Sequence, residues 1–504
     1  MPEMLKDLFR TKSLDAILHE GDAPQNGLKR TLGAFDVVML GIGAIIGAGI
    51  FATIGTAAAG DATRPGAGPA LILSFVVTGI ACGFAALCYA EFAAMVPISG
   101  SAYTYSYATL GELVAWIIGW DLIIEYAVGN VAVAISWANY FKTFVAGFGI
   151  VIPNWLSTDY RTAAHIPGLF AGAPHLFGIP IVFNILAFGI VAVITVVLVI
   201  GIRESVSLNT AMVSVKLVVL GIFALVGWMY TKPEHWHPFA PNGWAGVQTG
   251  AAIVFFAYIG FDAVSTVAEE VRTPTRDLPI GIIGSLIICT VIYIVVALVF
   301  TGIIPYDVLV KKLATEQAEP LTMALQYANI PKWGHLLVGL VAFGSVVAHT
   351  AVLLVFQLGQ PRIFFSMARD GLLPQSFAKV HPRFRTLHVT TILTGVAVGV
   401  CAMFTSIDEM VDLTNIGTLF AFVLVCIGIL VLRKRDPERP RAFKTPWVPV
   451  VPLLGVISCL YLMLGLPWVT WIRFGLWLAV GLVIYFLYGR KRSRLMREHP
   501  GRSA

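Results

Sequence analysis

Gly41, Gly43, Gly47 and Gly49 fall within nine residues of an apolar stretch that runs from Leu32 to Ala59. Each glycine costs a helix interior about 1 kcal/mol against alanine, so the cluster weakens the helix at its middle. In lipid an opened backbone must be satisfied by protein, water or a ligand. A second apolar stretch carries Phe256-Ala257-Tyr258-Ile259-Gly260-Phe261-Asp262. Interrupted spans in corresponding positions of two halves point to a substrate site in a transporter. The plainer alternative is that the glycines only let helices pack closely.

Composition sets the class. Of 504 residues, 58% are hydrophobic and 12% charged, against roughly 25% charged in soluble proteins. A span needs about 20 apolar residues. Twelve stretches meet that need, at 33–58, 69–96, 112–146, 178–200, 206–230, 247–270, 278–304, 335–368, 388–405, 410–432, 447–466 and 469–489. The expected fold is an all-α integral membrane protein with twelve transmembrane helices. No signal peptide is evident. Residues 1–32 read as a cytoplasmic tail, in which Leu5, Leu8, Phe9, Leu14, Ile17 and Leu18 suggest a short interfacial helix.

The net charge of +6 orients the chain rather than naming a polyanionic partner. With a cytoplasmic N-terminus and alternating spans, 25 Lys/Arg fall on inner segments, 8 on outer segments, and Lys216 within a span. That bias obeys the positive-inside rule and places both termini in the cytoplasm of a cell with this inner (plasma) membrane protein. Cys82, Cys88, Cys289, Cys401, Cys426 and Cys459 lie within spans and read as small buried hydrophobes. Neither disulfide, metal site nor cofactor is expected, and no nucleic-acid partner. His349 sits mid-span and reads as a packed, hydrogen-bonded residue.

The first ten stretches divide into two sets of five, 33–230 and 247–432. Each set opens with a glycine break, and each has a long third stretch. An odd number per set inverts the second set in the membrane. Residues 447–489 add two helices outside the repeat, and 490–504 form a C-terminal tail. The longest outer loops, about 147–177 and 305–334, are too short for a soluble domain.

An ionisable side chain at mid-bilayer costs about 2.5–3.5 kcal/mol on insertion scales and needs a reason. Lys216 stands in the fifth stretch. It takes and releases a proton, stays charged in a permanent cation site, or joins a buried ion pair. Asp121 and Glu125, four apart in the third stretch, share one helix face. Asp262 follows the second break directly. Glu125 and Asp262 are expected either to take part in function or to satisfy backbone and tyrosine groups. Glu91, Glu269 and Glu270 close their spans and are expected to pair with nearby arginines.

A broken helix offers amides at one half and carbonyls at the other, attracting anions and cations respectively. A ligand that suits both carries a carboxylate and an ammonium close together, as an α-amino acid does. The order of the motif places the carboxylate at Gly47, Ala48 and Gly49, and the ammonium near the carbonyls of Ile45, Phe256, Ala257 and Ile259. Phe256, Tyr258 and Phe261 are expected to wall or gate the pocket.

The stretches Gly41–Phe51, Pro97–Tyr105, Phe255–Asp262, Ala368–Pro374 and Leu413–Leu419 together resemble the amino acid–polyamine–organocation superfamily. Within it the chain is similar to bacterial members of the cationic amino acid transporter branch, from about Leu28 to Arg492. The resemblance implies a leucine-transporter-like inverted five-plus-five repeat with discontinuous helices 1 and 6, alternating access, and uptake of L-amino acids. In several bacterial relatives a fifth-span lysine replaces a sodium ion; Lys216 matches it, which implies proton coupling. Glu125, Asp262 and Tyr293 match polar positions beneath the substrate. Phe356 matches an eighth-span position lining the side-chain pocket, where a phenylalanine narrows the space. Ala48 stands where relatives often carry threonine or serine. Both departures favour small neutral amino acids over arginine, lysine or polyamines, the rival substrates. A sensor that binds without transport is a further alternative. So is an exchanger's accessory subunit, although no cysteine lies in the outer loops to link one. A membrane enzyme would need a nucleophile with a base, or a metal cluster, near mid-membrane, and the sequence shows neither.

Overall fold

The computed structural model describes residues 8–12, 30–98, 101–201, 206–315 and 319–495. It is almost wholly helical. Among the described residues eight helices are long and apolar enough to cross a membrane, or nine spans when one bent pair counts as a single span. The bent pair is α1 (Ala34–Ile45) and the segment Gly49–Ala59, which includes α2 (Ile54–Ala59). Its halves meet at 42°.

The other principal helices are α3 (Leu71–Met95), α4 (Glu112–Ile123), α5 (Gly129–Ala146), α6 (Ile185–Ile200), α7 (Val206–Trp228) and α8 (Gly243–Val254). Then come α9 (Pro274–Ile303), α10 (Gly334–Arg369), α11 (His388–Phe404), α12 (Ile407–Arg435), α13 (Val450–Met463) and α14 (Trp468–Ile484). Of these, α6, α11 and α13 are apolar but shorter than a typical span. Each of the twelve apolar stretches holds at least one of these helices.

The long third members are present. The span from Glu112 to Ala146 has 35 residues and the one from Gly334 to Arg369 has 36. The second stretch packs on the seventh (α3 on α9), the third on the eighth (α5 on α10) and the fourth on the ninth (α6 on α11). In these three pairs, members five stretches apart lie side by side.

Both ends of the described chain meet at one end of the bundle, here the tail end. Lys12 Nζ donates to Asp370 Oδ1 at 3.0 Å, and the Arg494 amide donates to the Asp370 carbonyl at 3.0 Å. Of the interfacial helix expected in the N-terminal tail, only Leu8 and Phe9 lie within the described residues, and the rest lies outside them. At this end the Thr31 and Leu32 amides also donate to Glu270 O, and the Arg272 amide returns a bond to Leu32 O. The strand-like strap ties the start of the first stretch to the end of the sixth. Glu91 is wholly buried, held by Arg433 at 2.8 and 3.0 Å and by the Thr445 amide at 2.8 Å. Arg441 Nε adds a second cation at 3.1 Å. The span-end pairing expected of Glu91 is therefore present, with partners from the last turn of α12 and the basic segment that follows it.

At the opposite end, here the loop end, residues 147–184 build a small apolar cluster of their own from Ala163, Leu169, Ala173 and Val182. A two-stranded hairpin, His175–Leu176 with Ile179–Pro180, is the one strand pairing among the described residues. Arg64 bridges Asp61 at 2.7 Å and Asp412 at 2.8 Å, tying the loop after α2 to α12.

Candidate functional site

The first break follows from where its glycines sit. Asp36 accepts from the Gly33 amide at 2.9 Å and fixes the start of α1. The helix ends at Ile46, whose backbone is extended (φ −77°, ψ 103°). The chain resumes helical form as a π-helical turn, Gly49–Thr53, whose N-cap Ala48 has no side chain able to cap it. The first amides of a helix have no partner within it. The Gly49 amide thus stands at the positive end of the half-helix.

The glycines also allow close contact, as the plainer reading of the cluster expects. A Cβ on Gly49 would stand 2.1 Å from Ala257 Cα, one on Gly47 2.7 Å from Val352, and one on Gly41 2.5 Å from Ser285 Oγ. Gly260 opens the second break at φ +119°, and a Cβ there would fall 2.8 Å from the Ala44 backbone. The two breaks thus touch backbone to backbone.

The second break begins where α8 gives way to a 3-10 turn, Phe255–Tyr258, followed by an extended Ile259 (φ −61°, ψ 135°). A second 3-10 segment, Asp262–Glu270, completes the sixth stretch. Asn415 of α12 donates to Ala252 O at 2.8 Å and Ile253 O at 3.3 Å, holding the carbonyl end of α8.

Lys216 enters from α7 and is fully buried. Its Nζ donates to Gly43 O at 2.7 Å and Ile46 O at 2.9 Å. These are carbonyls that the break takes out of the helical ladder. Of the three sequence expectations, the plain ion pair is excluded: the ammonium binds backbone carbonyls, as a cation in a coordination site would.

Tyr293 of α9 joins the two breaks. Its hydroxyl lies 2.8 Å from Ala257 O and 3.1 Å from Ile45 O, sharing one proton between them. Two of the four carbonyls expected to be open for an ammonium therefore already have a partner, each keeping one lone pair free. Removing this hydroxyl with Tyr293→Phe leaves two buried carbonyls short of a donor, at about 1–3 kcal/mol. The expected result is a lower melting temperature together with weaker substrate binding, both read by thermal shift with and without amino acid.

Glu125 falls inside a π-helical turn, Ile124–Val128, that splits the third span between α4 and α5. Its carboxyl interacts with Asp262 and Thr418. Asp262 Oδ1 accepts from the Gly260 amide at 3.3 Å, while Asp262 Oδ2 and Glu125 Oε2 are buried without partners.

Phe356 is buried, packs edge-on to Tyr126 with centroids 5.6 Å apart, and would lie 3.1 Å from a Cβ on Gly129. Phe256 is buried, as are Tyr258 and Phe261. Tyr258 donates to Phe75 O at 2.8 Å, and Phe261 packs on Tyr89 and Phe422.

Several polar contacts carry no local sequence signal. Tyr140 donates to Phe51 O at 2.6 Å, on the loop-end side of the first break. His349 is a packed residue, with Nε2 2.7 Å from Ser136 Oγ and Nδ1 2.6 Å from Ser345 O. Asn130 donates to Gln357 Oε1 at 3.1 Å, and Gln357 donates to Thr195 at 2.5 Å. Farther toward the loop end, Thr143 donates to Glu319 at 2.6 Å. Burial pushes the Glu319 carboxyl up to about 7, against the Thr143 hydroxyl and the Lys142 ammonium, which pull it down. On the tail-end side a cavity lined by Leu40, Tyr126, Thr266, Val355, Gly359 and Arg362 approaches the Glu125 region.

Two helices broken near one another inside the bundle, with a buried lysine on the carbonyls at the first break, are an arrangement known from membrane transporters. Residues 32–486 match the model of the amino acid permease family, and the chain belongs to that family. It is 48% identical over 492 residues to the branched-chain amino acid permease of Bacillus subtilis (strain 168), covering 98% of this chain and all of that one. It is 45% identical over 491 residues to the methylthioribose transporter of the same organism, covering 97% of this chain and all of the relative. A vacuolar cationic amino acid transporter 4 of Arabidopsis thaliana is 35% identical over 444 residues, 86% of this chain and 68% of its own length. The resemblance drawn from the sequence motifs thus holds. The protein is a multi-pass membrane transporter and not an enzyme.

Proposed function

We propose that this protein takes up small neutral L-amino acids together with protons, by alternating access across the inner membrane. In this reading it has twelve spans, an inverted five-plus-five repeat of the leucine-transporter type, and both termini in the cytoplasm. The tail end is then the cytoplasmic end. The observation that carries the proposal is Lys216 Nζ on Gly43 O and Ile46 O. That contact places a group able to gain or lose a proton on the broken helix itself.

The substrate carboxylate sits at the Gly47, Ala48 and Gly49 amides. Its ammonium meets the remaining lone pairs of Ile45, Phe256, Ala257 and Ile259. The side chain points toward Phe356. Loss of the Lys216 proton weakens its hold on the end of α1, and α1 then swings to open the cytoplasmic side. Glu125, Asp262 and Tyr293 form the polar network between the proton and the substrate.

The relative named as a branched-chain permease supports a neutral amino acid. A second reading follows from the relative named as a methylthioribose transporter. Methylthioribose has neither carboxylate nor ammonium, so it would leave both broken ends unused. A thermal-shift panel of alanine, valine, leucine, arginine, lysine and methylthioribose separates the readings. Stabilisation by neutral amino acids alone supports the proposal, while stabilisation by methylthioribose or arginine alone replaces it. Phe356→Ser is expected to shift the preference toward longer side chains, because removing a buried ring opens space beside Tyr126. An unchanged order of preference would remove Phe356 from the pocket.

A further inference from the structure

Asp121 has no part in the site described above, yet both of its carboxyl oxygens are buried without a hydrogen-bonding partner. The residue is 1% exposed. A Cβ on Gly417 of α12 would fall 2.8 Å from Asp121 Oδ1, so the carboxyl lies directly against the α12 backbone. Beside it the Thr418 hydroxyl is also buried, within reach of the Glu125 carboxyl.

One turn further on, the helix widens into the π-helical turn that holds Glu125. Such turns often mark functional sites. Glu125 interacts with Asp121 on one side and Asp262 on the other. Asp121, Glu125 and Asp262 therefore form a row of three buried carboxyl groups, each with at least one unpartnered oxygen.

The surroundings of the row contain few charges. Glu125 and Tyr126 are the titratable neighbours on the same span, Asp262 comes from the sixth stretch, and the buried Tyr89 of α3 interacts with Glu125 and Asp262. From α10, Arg362 acts on Tyr126. Gly417 and Thr418 come from α12, and Trp477 of α14 stacks on Trp120 at 4.6 Å. Among the described residues no cation acts on Asp121. Carboxyl groups buried near one another with no counter-ion among the described residues are suited to holding and passing protons, and poorly suited to holding several charges at once.

We propose that Asp121 is a second proton-binding residue of the transport cycle, separate from Lys216, which exchanges its proton with Glu125. The inference rests on the proton-coupled reading above. In the exchange an O–H bond of the Asp121 acid breaks and an O–H bond forms on the Glu125 carboxylate; no electrons are transferred to another group. The Asp121 carboxylate left behind regains a proton from water admitted when α12 moves off α4. The Gly417 contact couples that movement to the charge on Asp121.

The test uses the full chain, purified and in proteoliposomes. Asp121→Asn preserves size and polarity but cannot titrate, and Asp121→Glu restores the acid. Infrared difference spectra between acidic and alkaline buffer are expected to show a protonated-carboxyl stretch that Asp121→Asn loses and Asp121→Glu returns at a shifted position. Alanine accumulation driven by a proton gradient is expected to be lost in Asp121→Asn, while counterflow exchange, which needs no net proton movement, persists. An unchanged band, or unchanged gradient-driven accumulation, overturns the inference. Wild-type protein indifferent to the gradient overturns the proton-coupled reading instead, and the infrared band alone then decides whether Asp121 binds a proton. Should Asp121→Asn fail to assemble, the shifted band of Asp121→Glu carries the decision.

Discussion

Replacing Lys216 with alanine is expected to make amino acid uptake indifferent to an imposed pH gradient. The ammonium makes two hydrogen bonds, 2.7 and 2.9 Å long, to the carbonyls of Gly43 and Ile46. Nothing else among the described residues is seen to donate to those two atoms. Bonds to a charged donor contribute about 1.5–3 kcal/mol each, so the alanine variant loses the strongest link between α7 and the first break. The equilibrium between closed and open arrangements then shifts without reference to protons. Uptake of labelled alanine at several external pH values reads the effect directly: a steep profile in the wild type and a flat one in Lys216→Ala. Lys216→Arg keeps the donors but resists deprotonation. It is expected to bind substrate and to stall in the cycle, so that binding persists while net uptake falls. A pH profile in Lys216→Ala that follows the wild type would remove Lys216 from coupling altogether.

Gly49→Val should abolish transport while leaving the folded protein detectable in the membrane. A Cβ at this position would stand 2.1 Å from Ala257 Cα, and backbone cannot move aside as a side-chain tip can. Overpacking of this kind costs about 1–3 kcal/mol, which is about fivefold to 150-fold in the population of the closed, substrate-holding arrangement. The damage falls on the contact between the two breaks, where substrate ends are held. Gly260→Ala adds a different strain, since a φ of +119° is rarely accessible to any residue with a Cβ. Size-exclusion profiles near that of the wild type, with uptake at background, would support the close approach of the two helices. Wild-type uptake in Gly49→Val would show that the breaks need not touch during transport.

Much of this architecture is legible in the sequence because each signal is local. The four glycines from Gly41 to Gly49 mark the first break, and Tyr258-Ile259-Gly260 marks the second. Lys216 stands out because an apolar stretch around it has no other reason to hold a cation. The long third and eighth stretches correspond to spans of 35 and 36 residues. Contacts that depend on distant parts of the chain are not legible. Tyr140 on Phe51 O, Asn415 on the end of α8, and the Asn130–Gln357–Thr195 chain join residues between 89 and 227 apart, or more than 160 for all but the first. The occupation of Ile45 O and Ala257 O by Tyr293 is of the same kind. So are the contacts of Tyr258 with Phe75 O and of Phe261 with Tyr89 and Phe422. The π-helical turns at Gly49–Thr53 and Ile124–Val128 leave no compositional mark, although both hold residues singled out on other grounds.

The most direct test of the whole account is uptake of radiolabelled alanine into proteoliposomes holding the purified chain, with and without an inward proton gradient. The account predicts uptake that the gradient stimulates, that unlabelled neutral amino acids compete away, and that Lys216→Ala makes independent of the gradient. Uptake identical with and without the gradient in the wild-type protein, or competition by arginine and not by neutral amino acids, would contradict it.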